Sequence, residues 1–88
     1  MSDAELTELR QRAARGDDDA IGTLVELAAG RQDMAELRSL ANAGSADAAA
    51  QLVELAGELG DLDELRRLAA EGNGDAADVL VELTEDEE

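Results

Sequence analysis

The sequence predicts an all-α protein, an α-solenoid of three helical hairpins, and three observations lead to this fold class. The 88-residue chain repeats one 28-residue pattern without a gap, over 5–32, 33–60 and 61–88. Aromatic content is 0% and proline is absent, so the core must be aliphatic, which favours closely packed helices over sheets. Repetition at a fixed period of this length is typical of stacked supersecondary units. We therefore expect a single three-repeat domain over residues 1–88.

The first helix of each repeat, helix A, is marked at both ends. In the middle repeat its apolar residues follow helical spacing, at Met34, Leu37, Leu40 and Ala41. A glycine that can end the helix in the left-handed conformation recurs at Gly16, Gly44 and Gly72. A capping residue followed three positions later by glutamate predicts a capping box at each start, in the pairs Ser2 with Glu5, Asp33 with Glu36, and Asp61 with Glu64. These signals place the A helices at 4–15, 34–43 and 62–71.

The second helix of each repeat, helix B, carries the broader apolar face. In the middle repeat it follows Ser45 and ends at Gly60, and its apolar residues are Ala48, Ala49, Leu52, Val53, Leu55, Ala56 and Leu59. An aspartate recurs near each start, where negative charge opposes the positive end of the helix dipole, at Asp19, Asp47 and Asp75. We expect the B helices at 18–29, 46–59 and 75–84. The turns between helices are so short that consecutive helices must pack antiparallel.

The two ends of the array depart from the repeat. Arg12 stands where the other repeats have Leu40 and Leu68, and Thr84 stands where they have Ala28 and Ala56. Such changes predict solvent-facing caps, and hence a complete array of three repeats. The acidic residues 85–88 are expected to fray.

Two stretches carry a resemblance to a known class of repeat. Residues 43–52, which run from a helix-ending glycine into a helix rich in alanine, resemble a step of the Sel1-like repeat, and Gly60-Asp61 followed by leucines at 62, 65 and 68 resembles the entry into helix A of tetratricopeptide repeats. The unit looks like a short, 28-residue variant of that TPR-like class, which implies a right-handed superhelix that binds peptides or proteins and carries no chemistry. The period is shorter than the family pattern and the family's aromatic positions are missing; HEAT-like repeats also use short Ala/Leu hairpins.

Net charge restricts the partners. Acidic residues number 23 against 7 basic ones, all arginine, for a net charge of −16. Such a field repels phosphate backbones and anionic lipid, so we expect no direct nucleic-acid or membrane binding and a protein or peptide partner, basic by preference. A GC-rich gene or a salt-adapted host would produce the same composition without functional demand. No export signal or membrane-length apolar run is present, which predicts a cytoplasmic protein.

The residue types argue against catalysis. The chain has no His, Cys, Lys or Tyr to act as a proton shuttle or activated nucleophile, so we expect no enzyme activity, no cofactor and no metal. The densest acidic cluster outside the tail, Asp17-Asp18-Asp19, has the oxygen ligands that calcium prefers, but its spacing fits no calcium-loop motif. We interpret it as a helix cap, because aspartate recurs singly at the equivalent place in the other repeats.

The candidate binding surface lies on the A helices, which is the usual binding face of the class the chain resembles. Equivalent positions of the three repeats form columns, and the predicted partner-binding residues are Arg10, Arg38 and Arg66, with Gln11, Ser39 and Arg67 beside them, and Asn42. Arginine would grip carboxylates of a partner. The alternative is a solvated face held by intrahelical pairs, Glu8 with Arg12 and Glu64 with Arg67.

The sequence therefore predicts a non-catalytic protein–protein interaction module or a repeat scaffold. A scaffold built only for its regularity, without a natural ligand, is a variant of the same hypothesis. The alternative function is an acidic nucleic-acid mimic that inhibits a basic or DNA-binding protein, since charge falls from −3 over 1–32 to −4 over 33–60 and −9 over 61–88. Exposed ends of the stack favour self-association while the charge opposes it, and we expect a monomer.

Overall fold

The computed structural model describes residues 2–85, which form six α-helices and no strand. The helices are α1 (Asp3–Ala14), α2 (Asp18–Gly30), α3 (Met34–Asn42), α4 (Ala46–Leu59), α5 (Leu62–Ala70) and α6 (Gly74–Thr84). The all-helical class is confirmed, and every predicted helix end lies within one residue of the observed one. Of the predicted fraying tail, residues 86–88 lie outside the described residues.

The turn inside each hairpin closes one helix and opens the next with the same few residues. Gly16, Gly44 and Gly72 have φ of 88°, 110° and 99°. The residue after each glycine donates its amide to the carbonyl five positions back, at 3.0 to 3.1 Å, and its side chain caps the following helix; these residues are Asp17, Ser45 and Asn73. Because the left-handed glycine closes a Schellman motif just before the N-cap, the chain reverses within three residues.

The turn between hairpins uses the same motif, with one exception in residue type. Gly60 supplies the left-handed residue after α4, at φ 67°, whereas Gln32 supplies it after α2, at φ 56°. The next residues, Asp33 and Asp61, donate their amides to Ala28 O and Ala56 O at 2.9 Å. The amide of each N-cap is therefore already bonded to the preceding helix.

Neighbouring hairpins pack on each other in chain order. The helices pair as α1–α2, α3–α4 and α5–α6, while α2 packs on α3 and α4, and α4 packs on α5 and α6. Among the described residues, the first hairpin does not pack on the third. The molecule measures 49 × 22 × 15 Å along its principal axes.

The core is aliphatic and centred on the middle hairpin. Its largest fully buried side chains are Leu24, Leu37, Leu52 and Leu65. Helix α4 alone contributes five buried residues, namely Ala48, Leu52, Val53, Leu55 and Ala56, while α1 contributes none. The middle hairpin is covered on both sides, and this packing fixes the relative positions of the A helices.

Candidate functional site

The arginine column on the A helices makes contacts within the molecule. Arg10 on α1 donates from Nε to Glu36 Oε1 on α3 at 3.1 Å, and Arg38 on α3 donates from Nε to Glu64 Oε1 on α5 at 2.8 Å. Each arginine thus bridges to the A helix of the next hairpin, 26 residues on. We call the contact between hairpins one and two the first junction, and the contact between hairpins two and three the second junction.

Two glutamates of the predicted capping boxes, Glu36 and Glu64, serve these junctions instead. At the start of α1, Ser2 Oγ accepts from the amide of Glu5 and donates to Glu5 Oε1, both at 3.2 Å. Asp33 and Asp61 accept from the amides of Glu36 and Glu64 at 3.0 and 3.1 Å, so the N-caps are confirmed. The reciprocal bond of a capping box would need the N-cap amide, but that amide is already donated to Ala28 O or Ala56 O. The carboxylates are therefore free to accept from the arginines of the preceding hairpin.

Arg66, the third member of the column, has a different environment. Among the described residues no hairpin follows α6, and Arg66 Nη1 lies 3.4 Å from Asp63 Oδ1 on its own helix, with both side chains exposed. A pair this exposed contributes little to stability.

The second junction contains a cluster centred on Glu64. This buried carboxylate accepts from Arg38 on one side and from Arg67 Nε at 2.7 Å on the other, and Arg67 Nη1 reaches Glu71 Oε2 at 2.7 Å. Arg67 Nη2 lies 2.5 Å from Glu64 Oε2 but is not oriented as a hydrogen-bond donor. The predicted intrahelical pair of Glu64 with Arg67 is confirmed, whereas Arg12 pairs with Asp17 at 2.9 Å and not with Glu8.

Electrostatics of the cluster follow from these contacts. Burial alone raises the pKa of Glu64, but hydrogen bonds from Arg38 and Arg67 outweigh it, and the pKa lies below the ordinary 4.5. The hydrogen bond with Glu64 also raises the pKa of Arg38. The cluster therefore holds Glu64 ionised at neutral pH.

An open groove lies at the first junction, with a cavity volume of about 780 Å³. Its apolar lining includes Ile21 on α2 and Leu40 on α3. Ser39 on α3 and Ala43, the C-cap residue of that helix, also line it, and their short side chains leave the space between hairpins unfilled. At the second junction the equivalent positions carry Arg67 and Glu71, whose long side chains bind each other and Glu64.

The rim of the open groove is mostly acidic. Among the residues that the structure describes, the carboxylates of Asp18, Glu36 and Asp47 line it, against the guanidinium of Arg10. Asp18 and Asp47 lie in the first turns of α2 and α4, where the packing of hairpins brings the two helix starts to the same groove. Such a rim attracts a cation, and the apolar floor accommodates aliphatic groups.

The structure divides the predicted site residues into four groups. Arg38 and Arg67 meet at Glu64, and Arg10 and Ser39 line the open groove. Gln11 and Asn42 are exposed but do not line that groove, and Arg66 stands apart at the end of the array. The sequence interpretation missed Ile21, Leu40, Ala43 and the acidic rim, although the change from Ser39 to Arg67 in one column was a usable signal.

The acidic cluster at the start of α2 is a helix cap. Asp17 Oδ1 accepts from the amides of Asp19 and Ala20 at 3.0 and 3.3 Å, which confirms the predicted capping role. A hydrogen bond from Arg12 to Oδ2, together with these amides, lowers the pKa of Asp17. Within residues 2–85, no group of three or more carboxylates is arranged to hold a metal ion.

Comparisons with known proteins give no relative: no protein-family model, curated protein or solved structure matches the chain significantly. In the part of the chain that the structure describes, no helix has the length and apolar character needed to span a bilayer. Functional inference therefore depends on the groove and the junctions themselves.

Proposed function

We propose that the protein is a non-catalytic protein-interaction module, a right-handed α-solenoid of TPR-like hairpins whose A-helix surface binds a basic peptide segment of a partner. The segment would lie in the open groove, with aliphatic side chains against Ile21 and Leu40 and a Lys or Arg side chain at the acidic rim. The packing of hairpins in chain order supports the solenoid.

The observation that carries this proposal is the contrast between the two junctions. Both have the same repeat backbone and the same bridging arginine, yet Ser39 and Ala43 replace the Arg67 and Glu71 pair at the first one only. Small residues here leave a concave surface with an apolar floor and charged rim, which is the usual form of a binding site.

Charge favours a basic occupant over an acidic one. Within residues 2–85, three carboxylates and one arginine line the groove, and that arginine already pairs with Glu36. A ligand guanidinium or ammonium would meet Asp18 and Asp47 near helix starts, and its charge-assisted bonds to these carboxylates would be stronger than neutral ones.

A selection from a displayed peptide library tests the proposal. The counter-target is a variant whose groove is filled by two larger side chains, which we call the plugged variant. The double substitution Ser39→Arg with Ala43→Glu transfers the Arg67–Glu71 pair to the first junction without changing net charge. We expect wild-type protein to enrich peptides that combine Lys or Arg with aliphatic residues, and the plugged variant to bind them at least ~10-fold more weakly.

The matched control adds the same kinds of side chain elsewhere. Ala50→Arg with Gln51→Glu is also neutral in charge and lies on α4, outside the groove, so it should retain binding. Peptides that bind the plugged variant as well as the wild type would exclude the groove. Peptides that are purely basic, and whose binding is lost between ~50 and ~300 mM salt, would favour the acidic-mimic alternative.

A further inference from the structure

The two ends of the array expose complementary halves of one junction. In the B-helix column of valines, Val25 and Val53 are 5% and 4% exposed, whereas Val81 is 62% exposed. The local hairpin is the same in each case, so the hairpin that follows must cover Val25 and Val53. Val81 and the exposed Leu83 on α6 have no such cover among the described residues.

The opposite end lacks the cover that a preceding hairpin supplies. Leu37 and Leu65 on α3 and α5 are fully buried, but Leu9, their equivalent on α1, is only partly buried. The neighbouring position on each A helix is the junction glutamate, and Glu8 is therefore the equivalent of Glu36 and Glu64. Unlike them, Glu8 accepts from no arginine in the described part of the chain.

The polar residues match across the ends as well. Inside the chain Arg10 pairs with Glu36, and Arg38 pairs with Glu64. Arg66 is the next donor of this series and Glu8 is its first acceptor. We propose that a second copy of this chain stacks head to tail on the first, with Arg66 bridging to Glu8 and Val81 covered against Leu9, so that the internal junction is repeated between molecules.

Charge and symmetry define the form of this assembly. Residues 61–88 carry −9 and residues 1–32 carry −3, so net charge most strongly disfavours contact between two C-terminal ends. Contact between two N-terminal ends would lack Arg66, and only unlike ends bring Arg66 to Glu8. The interface is heterologous and extends to an open row of molecules rather than closing as a dimer. The end of the molecule measures only 22 × 15 Å, so this contact buries less surface than the ~800 Å² that each partner buries in a stable interface. We therefore expect the molecules to associate only at high protein concentration.

Two substitutions distinguish the ends from the internal junctions, and both side chains have partners within their own hairpin. Thr84 replaces an alanine of the internal junctions, and its hydroxyl donates to Leu80 O at 2.8 Å, so no polar group is left unsatisfied. Arg12 replaces a leucine, and its guanidinium pairs with Asp17.

Sedimentation equilibrium with charge-swapped chains tests the proposal. Between ~10 µM and ~1 mM protein at ~0.15 M salt, wild type should show mass that rises with concentration beyond a dimer. Glu8→Arg places two arginines at the contact and Arg66→Glu places two glutamates there, so each single variant should associate ~10-fold or more weakly.

An equimolar mixture of the two single variants restores opposite charges at every contact. Arg66 of the first variant meets Glu8 of the second, and the glutamate introduced at position 66 meets the arginine introduced at position 8. The mixture should therefore regain association, with the two variants in alternating order.

The double variant Glu8→Arg with Arg66→Glu keeps the net charge of −16 and should also regain wild-type association. Charge-matched controls are Glu54→Arg and Arg31→Glu, which lie away from both ends and should change association less than ~2-fold. Circular dichroism checks that each chain folds. Wild type that stays monomeric throughout, association that stops at a dimer, or single variants that self-associate like wild type would each overturn the proposal.

Discussion

The two junctions share an apolar layer and differ in the polar layer above it. Leu37 at the first junction and Leu65 at the second are both fully buried. The bridging glutamates are not equivalent: the Glu36 side chain is 23% exposed and binds one arginine, whereas the Glu64 side chain is 4% exposed and binds two. Identical leucines stack the hairpins, and side chains on the A-helix surface determine whether the space above them is open or occupied.

The largest predicted effect tests the shared layer. Leu65→Ala and Leu37→Ala should each destabilise the fold by ~3 kcal/mol, because each removes a fully buried side chain and leaves a cavity. Leu9→Ala, the equivalent change at the end of the array, should cost only ~1 kcal/mol because Leu9 is partly exposed. Urea unfolding followed by circular dichroism measures all three.

A difference of more than ~1.5 kcal/mol between Leu37→Ala and Leu65→Ala would contradict an equivalent apolar layer. If a variant is unfolded in buffer, Leu→Val at the same position lowers the free energy of unfolding by less and allows the same comparison.

The next prediction concerns the layer in which the junctions differ. Glu64→Gln leaves Arg38 and Arg67 around a neutral amide and should cost ~1–2 kcal/mol, while Glu36→Gln should cost ~0.5 kcal/mol or less, because its pair with Arg10 is solvated. The two variants have the same net charge, which makes them matched controls for each other. Equal costs in urea unfolding would show that burial of the Glu64 cluster does not distinguish the junctions.

The pH dependence of this cost follows from the lowered pKa of Glu64. A carboxyl whose pKa is lower in the folded state stabilises the fold above its unfolded pKa, ordinarily 4.5, and this contribution is lost as pH falls through the folded pKa. The free-energy difference between wild type and Glu64→Gln should therefore stay constant from pH 7 to about 5 and shrink below 4.5.

Comparing the two proteins removes the effect of the other carboxylates, whose protonation relieves the repulsion within a chain of net charge −16. Urea midpoints at pH 7, 5, 4 and 3 would measure the difference. A difference that grows on acidification would contradict the stabilising role of the ionised carboxylate.

Local signals were sufficient to predict the helices, and they could not predict the junctions. Ser45 and Asp61 identify helix starts because a capping bond depends only on residues three apart. The bridge from Arg38 to Glu64 depends on how two hairpins stack, so the sequence interpretation assigned Glu64 to a capping box. The open groove had a partial signal, since Ser39 and Arg67 share a column, but the volume beside Ser39 depends on packing.

The smallest predicted effect concerns the turns that lead into the junctions. Gln32 adopts φ 56° before the first junction, and Gly60 adopts φ 67° before the second. A left-handed residue with a Cβ costs ~1 kcal/mol, and glycine avoids this cost. Part of that gain is lost because glycine gives the unfolded chain greater conformational freedom. Gln32→Gly should therefore stabilise the fold by ~0.5 kcal/mol and raise the melting temperature by ~2–4 °C.

Gln32→Ala is the control, because it shortens the side chain and keeps the strain, and it should not raise the melting temperature. If Gln32→Gly and Gln32→Ala raised the melting temperature equally, the gain would come from removing the glutamine side chain. The backbone at Gln32 would then be no more strained than the backbone at Gly60.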